Sequence, residues 1–279
     1  MKTGLIVVVE ECLVVFAAIG NFVVLYHLSG YEATMEFDKR KSLLRDACIT
    51  KREAHTWLGL SNTPVTQRGA NKFILGAIID YQIKADKAWA KADWFAEVYF
   101  NGVNDIWSHI NSYSKDEWFA ICKSNSVHRF PKAYERIQRI GGVIENIYHG
   151  DARCIWSDVP SDKVRDRLLD LGLGNQITNM VLGALFDTSL VSGSLDVKAD
   201  LHITRVLGRV LLAKEIAPNQ AIVIARDVYN ENPWLLDSRL FQVGKTFCKR
   251  TNPHCYRCFF GAFCLQHEIK ERSESTAHS

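Results

Sequence analysis

Proline, net charge and disulfide-forming cysteine are all scarce in this sequence. Six Pro among 279 residues, together with little strand-like alternation, favour helices. The formal net charge of +3 means that any anionic partner must be held by local basic patches. Eight Cys are too few for a disulfide-dense secreted module. Hydrophobic residues at 47% and charged residues at 23% exclude a disordered or collagen-like chain, and the length predicts one large or two modest domains.

The chain also lacks a clear membrane anchor or secretion signal, although residues 4–28 are strongly apolar. The longest uninterrupted apolar stretch, Cys12 to Leu28, has about seventeen residues, and a spanning helix needs about 20. Only Lys2 precedes it as a basic residue, and no small-residue cleavage site is clear. For the extension 1–34 we favour a buried local element, or a start mis-assigned upstream of Met35, over a membrane tether. Its role stays open.

Apolar residues at three- and four-residue spacing predict a helical bundle in the middle of the chain. Residues 71–83 carry such side chains on one face: Phe73, Ile74, Ala77, Ile78 and Tyr81. Further helical patterns cover 86–100, 115–123, 131–148 and 161–170. Pro131 suits the first turn of its helix, and Ser161 is expected to cap the helix that runs to Asp170.

Residues 168–187 predict two helices joined by a glycine turn, Leu171-Gly172-Leu173-Gly174, with the second helix beginning at Asn175. Glycines at i and i+2 let the backbone take positive φ and approach a neighbour closely. Two interpretations are open. The turn is either a plain corner between helices, or a seat for a phosphate on amides beside a helix N-terminus.

Four of the eight cysteines crowd near the C-terminus with the spacing C-x6-C-x2-C-x5-C: Cys248, Cys255, Cys258 and Cys264. One C-x2-C pair with a lone Cys on either side suits a [4Fe–4S] cluster better than the paired knuckles of a structural zinc site. Zinc, or no metal, are the alternatives, and a cluster implies a reducing compartment. Lys249 and Arg250, in the loop between the first two ligands, could grip phosphates. The other cysteines, Cys12, Cys48, Cys122 and Cys154, are expected to be buried thiols.

The Gly-x-Gly turn followed by this cysteine spacing resembles the endonuclease III branch of the helix-hairpin-helix (HhH-GPD) DNA glycosylases. Three further stretches match in order. The stretch 80–86 (DYQIKAD) looks like the family's S-x-Q-x-x-D helix end, and 199–206 (ADLHITRV) looks like its V-D-T-H-I-x-R-V segment. The stretch 240–248 (LFQVGKTFC) matches its L-x-x-x-G-x-x-x-C run. The resemblance covers about residues 40–267.

The resemblance implies an all-α fold of two helical domains with DNA in the groove between them. One domain is a six-helix barrel, 63–188, ending in the helix-hairpin-helix. The other combines 35–62 with 189–267 and carries the cluster, and 268–279 is a polar tail. The partner implied is double-stranded DNA with a damaged or mispaired base, which is flipped out for cleavage of its N-glycosidic bond. We expect an intracellular, DNA-associated monomer.

One departure from the family bears on the mechanism. Bifunctional members carry a lysine two residues after the second hairpin glycine, where it forms a Schiff base and drives strand cleavage. Gln176 stands at that position here, and a carboxamide cannot act as an amine nucleophile. The chain therefore resembles a monofunctional glycosylase that uses water, with Asp200 as the catalytic carboxylate. A simpler interpretation is that Asp200 caps the helix 201–213, and both roles can coexist.

The resemblance also assigns DNA contacts. Gln82 is expected to fill the gap left by the flipped base, and Gln176 to face the pocket and hydrogen-bond the extruded base or its sugar. Gly172 and Gly174 are expected to offer amides to phosphates. The alternatives are a glycosylase with lyase activity through another amine, such as Lys198, or a catalytically silent, cluster-bearing DNA-binding protein. The excised base is not identified by the sequence.

Overall fold

The N-terminal segment forms three antiparallel strands, in the order β1-β2-β3: β1 (Ile6–Val9), β2 (Cys12–Ile19) and β3 (Phe22–Leu28). In the register of these strands, Val8 lies opposite Leu13, and Val15 lies opposite Tyr26. Valine and isoleucine dominate the strands, as expected for residues that prefer a pleated backbone. The apolar extension therefore contains a local sheet, for which the sequence analysis predicted no specific structure.

The structure is a computed structural model that describes residues 6–9, 12–19, 22–28, 31–50, 52 and 64–276, with side chains for 36–50, 52, 64–271 and 273. Within these ranges, no helix is both long enough and apolar enough to cross a membrane. The predicted buried state of Cys12 lies outside the described side chains. From Tyr31 onward the described secondary structure is helical, which confirms the predicted all-α fold of the domains.

The chain divides into two compact units, one of Glu53–Lys198 and one of Met1–Arg52 with Ala199–Ser279. We call them the barrel unit and the cysteine unit. The barrel domain predicted from the sequence, 63–188, begins later and ends earlier than the barrel unit. The second difference has a visible cause: the Asn179 amide donates to the Val197 carbonyl at 2.9 Å, and Arg165 pairs with Asp196 at 3.7 Å. These contacts hold the segment before Ala199 to the barrel unit.

The described helices of the barrel unit are α2 (Gln67–Ile79), α3 (Ala85–Trp94), α4 (Ile106–Ser112), α5 (Lys115–Ser124), α6 (Lys132–Tyr148), α7 (Ser161–Asp170) and α8 (Asn175–Asp187). Helix α2 is buried from Gly69 to Ile79, which places it in the core. Its one ionised side chain there, Lys72, donates to Asp93 at 2.8 Å and to Glu97 at 2.9 Å. Such pairing is needed because an unpaired buried charge is costly.

Several predicted helix bounds are corrected. Helix α2 ends at Ile79 rather than at residue 83, and Tyr81 is 44% exposed instead of buried. The pattern 86–100 is α3 followed by a π-helical turn, Phe95–Tyr99, and α4 was not predicted.

Two predictions for helix starts also need correction, the Ser161 cap and the place of Pro131 in a first turn. Ser161 is the first residue of α7, so the cap position falls to Pro160, which offers no side-chain acceptor. Pro131 lies at the cap position of α6, one residue before the helix begins.

The described helices of the cysteine unit are α1 (Tyr31–Ile49), α9 (Leu201–Leu212), α10 (Pro218–Val228), α11 (Trp234–Thr246) and α12 (Leu265–Thr276). Helix α9 packs closely against α11 at Gly244, where an added Cβ would lie 2.6 Å from the Cβ of His202. The glycine of the L-x-x-x-G-x-x-x-C run is thus required by this helix contact. Much of the predicted polar tail, 268–276, belongs to α12.

Candidate functional site

The turn between α7 and α8 is a Schellman motif. The Gly172 amide donates to the Leu169 carbonyl at 2.7 Å, and the Leu173 amide donates to the Leu168 carbonyl at 3.1 Å. Gly172 has φ +83°, as expected for glycine at this position. Gly174 has φ −73°, so the predicted positive φ occurs at only one of the two glycines.

The amides open to an anion lie at the start of α8 rather than at Gly172. Gly174 caps α8 without a side chain, so no cap side chain accepts from the first-turn amides of this helix, such as those of Asn175 and Ile177. A Cβ built on Gly174 meets nothing within 4 Å, so the approach to these amides is open on that side. Gln176 is exposed in this first turn.

Two arginines of α6 surround the turn with positive charge. Arg139 donates to the Leu171 carbonyl at 3.1 Å, and Arg136 donates to the Gly172 carbonyl. Burial, and after it the neighbouring charge of Arg139, lower the pKa of Arg136. Together with the helix dipole of α8, the two arginines favour an anion at this end of the barrel unit.

The turn that carries Gln82 is held by hydrogen bonds from the segment before α6. Gln82 is exposed with φ +55°, and its carbonyl accepts from Arg129 at 2.6 Å. The Tyr81 carbonyl lies 2.7 Å from Nε2 of His128. The Phe130 amide donates to Nδ1 of the same ring at 3.0 Å, so Nε2 carries the proton and donates to Tyr81. The backbone of this turn is therefore fixed while the Gln82 side chain projects from it.

Asp200 caps α9. Its Oδ1 accepts from the His202 amide at 2.8 Å and from the Ile203 amide at 3.0 Å. Within the described chain, Oδ2 accepts no hydrogen bond, and the residue is half-buried. The capping role is thus observed, and one carboxylate oxygen is left for a further partner.

The other matched residues of α9 tie this helix to the cysteine loop. Arg205 donates to the Gly244 carbonyl at 2.9 Å, to the Cys248 carbonyl at 2.5 Å and to Nδ1 of His202 at 3.1 Å. Arg209, one turn later, donates to the Lys249 carbonyl at 2.6 Å and to the Arg250 carbonyl at 3.1 Å. The two arginines therefore fix the start of the loop between the first two cysteines.

All four cysteines of the C-x6-C-x2-C-x5-C run line one cavity of about 30 Å³ in the cysteine unit. Burial raises the pKa of Cys255, Cys258 and Cys264, the last to about 11, so metal binding there must displace protons. Backbone amides nevertheless donate to two of these sulfurs, from Phe260 and Gly261 to Cys258 and from Gln266 and His267 to Cys264.

The four cysteines are the donor set of a [4Fe–4S] cluster, which places its four thiolates on different irons. All four line the same cavity, so their side chains can face one bound group. Among the described residues, no group of three or more His, Cys, Asp or Glu side chains is arranged to hold a single metal ion. Of the remaining thiols, Cys48 and Cys122 are buried as predicted, whereas Cys154 is exposed.

The two basic residues of the loop differ in their contacts. The Lys249 ammonium donates to the Lys245 carbonyl at the end of α11. The Arg250 guanidinium is exposed and makes no hydrogen bond or ion pair to described residues. Both side chains lie on the surface of the cysteine unit.

Sequence reasoning missed several residues that build the site. Arg136, Arg139 and His128 bind backbone carbonyls on other elements, which residue spacing does not reveal. Arg209 could have been found, because it lies four residues after Arg205 on the same face of α9.

Comparison with known structures places the fold. The chain matches endonuclease III in a trapped covalent DNA intermediate, an estranged-adenine complex, with TM-score 0.62 and 17% identity over 85% of this chain and 99% of that one. It matches a non-covalent endonuclease III–DNA complex with TM-score 0.60 and 17% identity over 85% and 98%. It also matches a thermostable thymine-DNA glycosylase with TM-score 0.58 and 16% identity over 85% and 98%.

These likenesses confirm the fold that the sequence motifs imply. No protein-family model and no curated protein sequence matches the chain.

Proposed function

We propose that the protein is a monofunctional DNA glycosylase. It hydrolyses the N-glycosidic bond of a damaged, modified or mispaired base that is flipped out of double-stranded DNA, and it acts as a monomer with water as the only cosubstrate. The observation that carries the proposal is the Asp200 carboxylate, which is held on one oxygen by two amides of α9 and open on the other. The fold shared with DNA glycosylases supports it.

The proposed chemistry needs one carboxylate and one water. When the C1′–N bond breaks, its electron pair leaves with the base and positive charge develops on the sugar. Water then supplies the oxygen that binds C1′ and the proton that the base finally accepts. A carboxylate roughly 4 Å from the sugar cation, at an effective dielectric near 20, supplies about 4 kcal/mol. That is on the order of a thousandfold in rate, and the same group can orient the water.

We propose water as the nucleophile because neither of the two positions considered for an attacking amine, 176 and 198, fits that role. Gln176 occupies the position of the family's lysine, and an amide nitrogen does not form a Schiff base. The alternative amine, Lys198, lies 3.3 Å from the Asp80 carboxylate. An ion-paired ammonium has no lone pair with which to attack a sugar. In our proposal Gln176 hydrogen-bonds the extruded base or its sugar instead.

DNA contacts are proposed for surfaces of each unit. On the barrel unit, the open first-turn amides of α8 beside Arg136 and Arg139 suit a phosphate of the backbone. Because the Gly172 amide is already bonded, Gly174 and the residues after it make this contact in our proposal. Gln82, on its fixed turn, fills the gap left by the flipped base. On the cysteine unit, Lys249 and Arg250 hold further phosphates.

A [4Fe–4S] cluster is the proposed cofactor, held by Cys248, Cys255, Cys258 and Cys264. When bound, it cross-links the loop that carries Lys249 and Arg250. Its proposed role is architectural, since the bonds of Arg205 and Arg209 already connect that loop to α9.

The proposed function is tested with a panel of duplexes that carry oxidised pyrimidines, uracil or thymine opposite guanine, or alkylated bases. Released base and strand breaks are scored before and after alkali, and borohydride is added to a parallel set. We expect base release from at least one duplex, strand breaks only after alkali, and no covalent adduct with borohydride. Spontaneous nicking with an adduct would show a lyase instead. If no duplex loses a base and Asp200→Asn binds damaged DNA like the native chain, the protein is a silent DNA-binding protein.

The cofactor proposal is tested on Cys258→Ser with Cys154→Ser as the matched control. The native protein is expected to be brown, with iron and no zinc. Cys258→Ser is expected to lose colour and iron, whereas Cys154→Ser, which changes an exposed thiol outside the set, should keep both. Zinc in the native protein, or colour retained in Cys258→Ser, would contradict the proposal.

A further inference from the structure

Asp80, the residue that follows α2, forms a largely buried ion pair with a residue far away in the sequence. The Lys198 ammonium lies 3.3 Å from Oδ2 of Asp80, and the two residues are separated by 118 positions. The side chains are 19% and 6% exposed, so the pair is largely shielded from water. Shielding makes the loss of one partner costly, because the other charge is then left buried and unpaired.

Each partner lies two residues before a residue of the proposed site. Asp80 precedes Gln82, and Lys198 precedes Asp200. In the motif that 80–86 resembles, a serine stands at the position of Asp80, so the carboxylate is a feature of this chain. The turn after Asp80 is fixed independently by His128 and Arg129, as described above. Asp80 therefore offers a rigid anchor for Lys198.

The backbone between Lys198 and Asp200 is strained. Ala199 has φ +27°, in a region that residues with a Cβ rarely adopt, and it is only 1% exposed. Such a conformation persists only where the surrounding structure determines it. The determinants are visible on both sides. Asn179 binds the Val197 carbonyl and Asp80 binds Lys198 before Ala199, while the Asp200 carboxylate is bonded to the first turn of α9 after it.

We propose that Asp80 and Lys198 form a positioning pair for Asp200. The ion pair fixes the strained backbone that leads into the Asp200 cap of α9, and thereby the orientation of the Asp200 carboxylate on that helix. This inference rests on the proposed function, because it assigns the pair to the same carboxylate. Neither residue touches the substrate in this proposal.

The ion pair with Asp80 also disfavours a nucleophilic role for Lys198. A Schiff base requires a neutral amine that can reach the sugar, whereas this ammonium is shielded and bound to a carboxylate. The two roles predict different results for the same variant. Loss of Lys198 slows base release if it positions Asp200, and it abolishes a borohydride adduct if it is a nucleophile.

The test compares Asp80→Asn and Lys198→Met with the control Asp151→Asn. Asp151 also has a half-buried carboxylate in the barrel unit, paired with Arg153 at 2.6 Å. Asp151→Asn therefore controls for the loss of stability that follows when any such ion pair is removed. Measurements are the single-turnover rate of base release, the Kd for the duplex, the Tm, and hydrogen exchange at the amides of 197–203.

We expect both pair variants to lose about a hundredfold in rate, as small misplacements of a reacting group do, with little change in Kd. The double variant should be no slower than either single one, because both remove the same interaction. Exchange at 197–203 should rise about tenfold in both, while Asp151→Asn changes only the Tm.

Native rate and native exchange in both pair variants would overturn the inference, as would a native borohydride adduct that Lys198→Met abolishes. The exchange measurement does not depend on activity. If the native protein releases no base, the proposed function fails, and unchanged exchange at 197–203 separately rejects a positioning role.

Discussion

Helices α8 and α9 begin in opposite ways. Helix α8 is capped by Gly174, which has no side chain to accept a hydrogen bond from the first-turn amides. Helix α9 is capped by Asp200, whose own carboxylate binds two of its first amides. A helix N-terminus attracts negative charge in both cases. In α9 the Asp200 carboxylate supplies the negative charge. In α8 no side chain of the cap residue does so, and an external anion can bind there.

In the proposed function, this difference separates a binding role for the start of α8 from a catalytic role for the start of α9. The open start of α8, flanked by Arg136 and Arg139, suits a group that must bind and leave, such as a DNA phosphate. The closed start of α9 fixes a carboxylate by its Oδ1 and presents its Oδ2, which suits a charge that must stay in one place. Three predictions test the contrast.

The largest effect is expected from Asp200→Asn. Asparagine caps a helix about as well as aspartate, but it cannot stabilise a sugar cation. We expect on the order of a thousandfold slower base release with a nearly unchanged Tm, measured by single-turnover assays and thermal unfolding. Asp200→Ala should show the same loss of rate and, in addition, about 1 kcal/mol lower stability. Full turnover in Asp200→Asn would mean that the carboxylate only caps α9.

The second prediction concerns the turn before each helix. Gly172→Ala should lower the free energy of unfolding by about 1–2 kcal/mol, because φ is +83° there. The new Cβ would also meet Arg139 at 2.6 Å. The reciprocal change, Ala199→Gly, should cause no comparable loss, since glycine tolerates φ +27°. Denaturant unfolding of both variants measures this, and equal losses would contradict the assigned strain.

The smallest effect is expected when α8 receives an aspartate cap like that of α9. In Gly174→Asp, the new side chain has room, since nothing lies within 4 Å of the added Cβ. It should cap the amides and raise stability by a few tenths of a kcal/mol. DNA binding should weaken about tenfold, because the carboxylate excludes the phosphate. Gly174→Ala serves as the neutral control. Unchanged DNA affinity in Gly174→Asp would show that these amides do not bind DNA.

Local patterns predicted the parts of the molecule that depend on near neighbours. The start of α8 at Asn175 and the Asp200 cap follow from residues within a few positions. The predicted helix bounds and caps were wrong where contacts with distant segments override the local sequence pattern. The apolar spacing continues to Tyr81, yet α2 stops at Ile79, and the next turn is bonded to His128 and Arg129. Ser161 is a good capping residue, but the chain enters α7 through Pro160.

The cysteine spacing predicted a shared site, and the structure places all four thiols around one cavity. The residues that hold the loop in shape could not be predicted in the same way. Arg205 and Arg209 bind carbonyls about forty residues later, and these bonds depend on how α9 packs against α11.

The amino-acid sequence alone established which chemical groups this protein possesses: a carboxylate at a helix start, four closely spaced thiols and, by resemblance to the glycosylase family, a glutamine at the position of that family's lysine. Folding decided what each group can do. Lys198 illustrates this, because its sequence position leaves it a free amine, whereas the packed chain sets it against Asp80. Spacing reports neighbours within a few residues, and the environment of a charge is set by whatever distant segment is packed onto it.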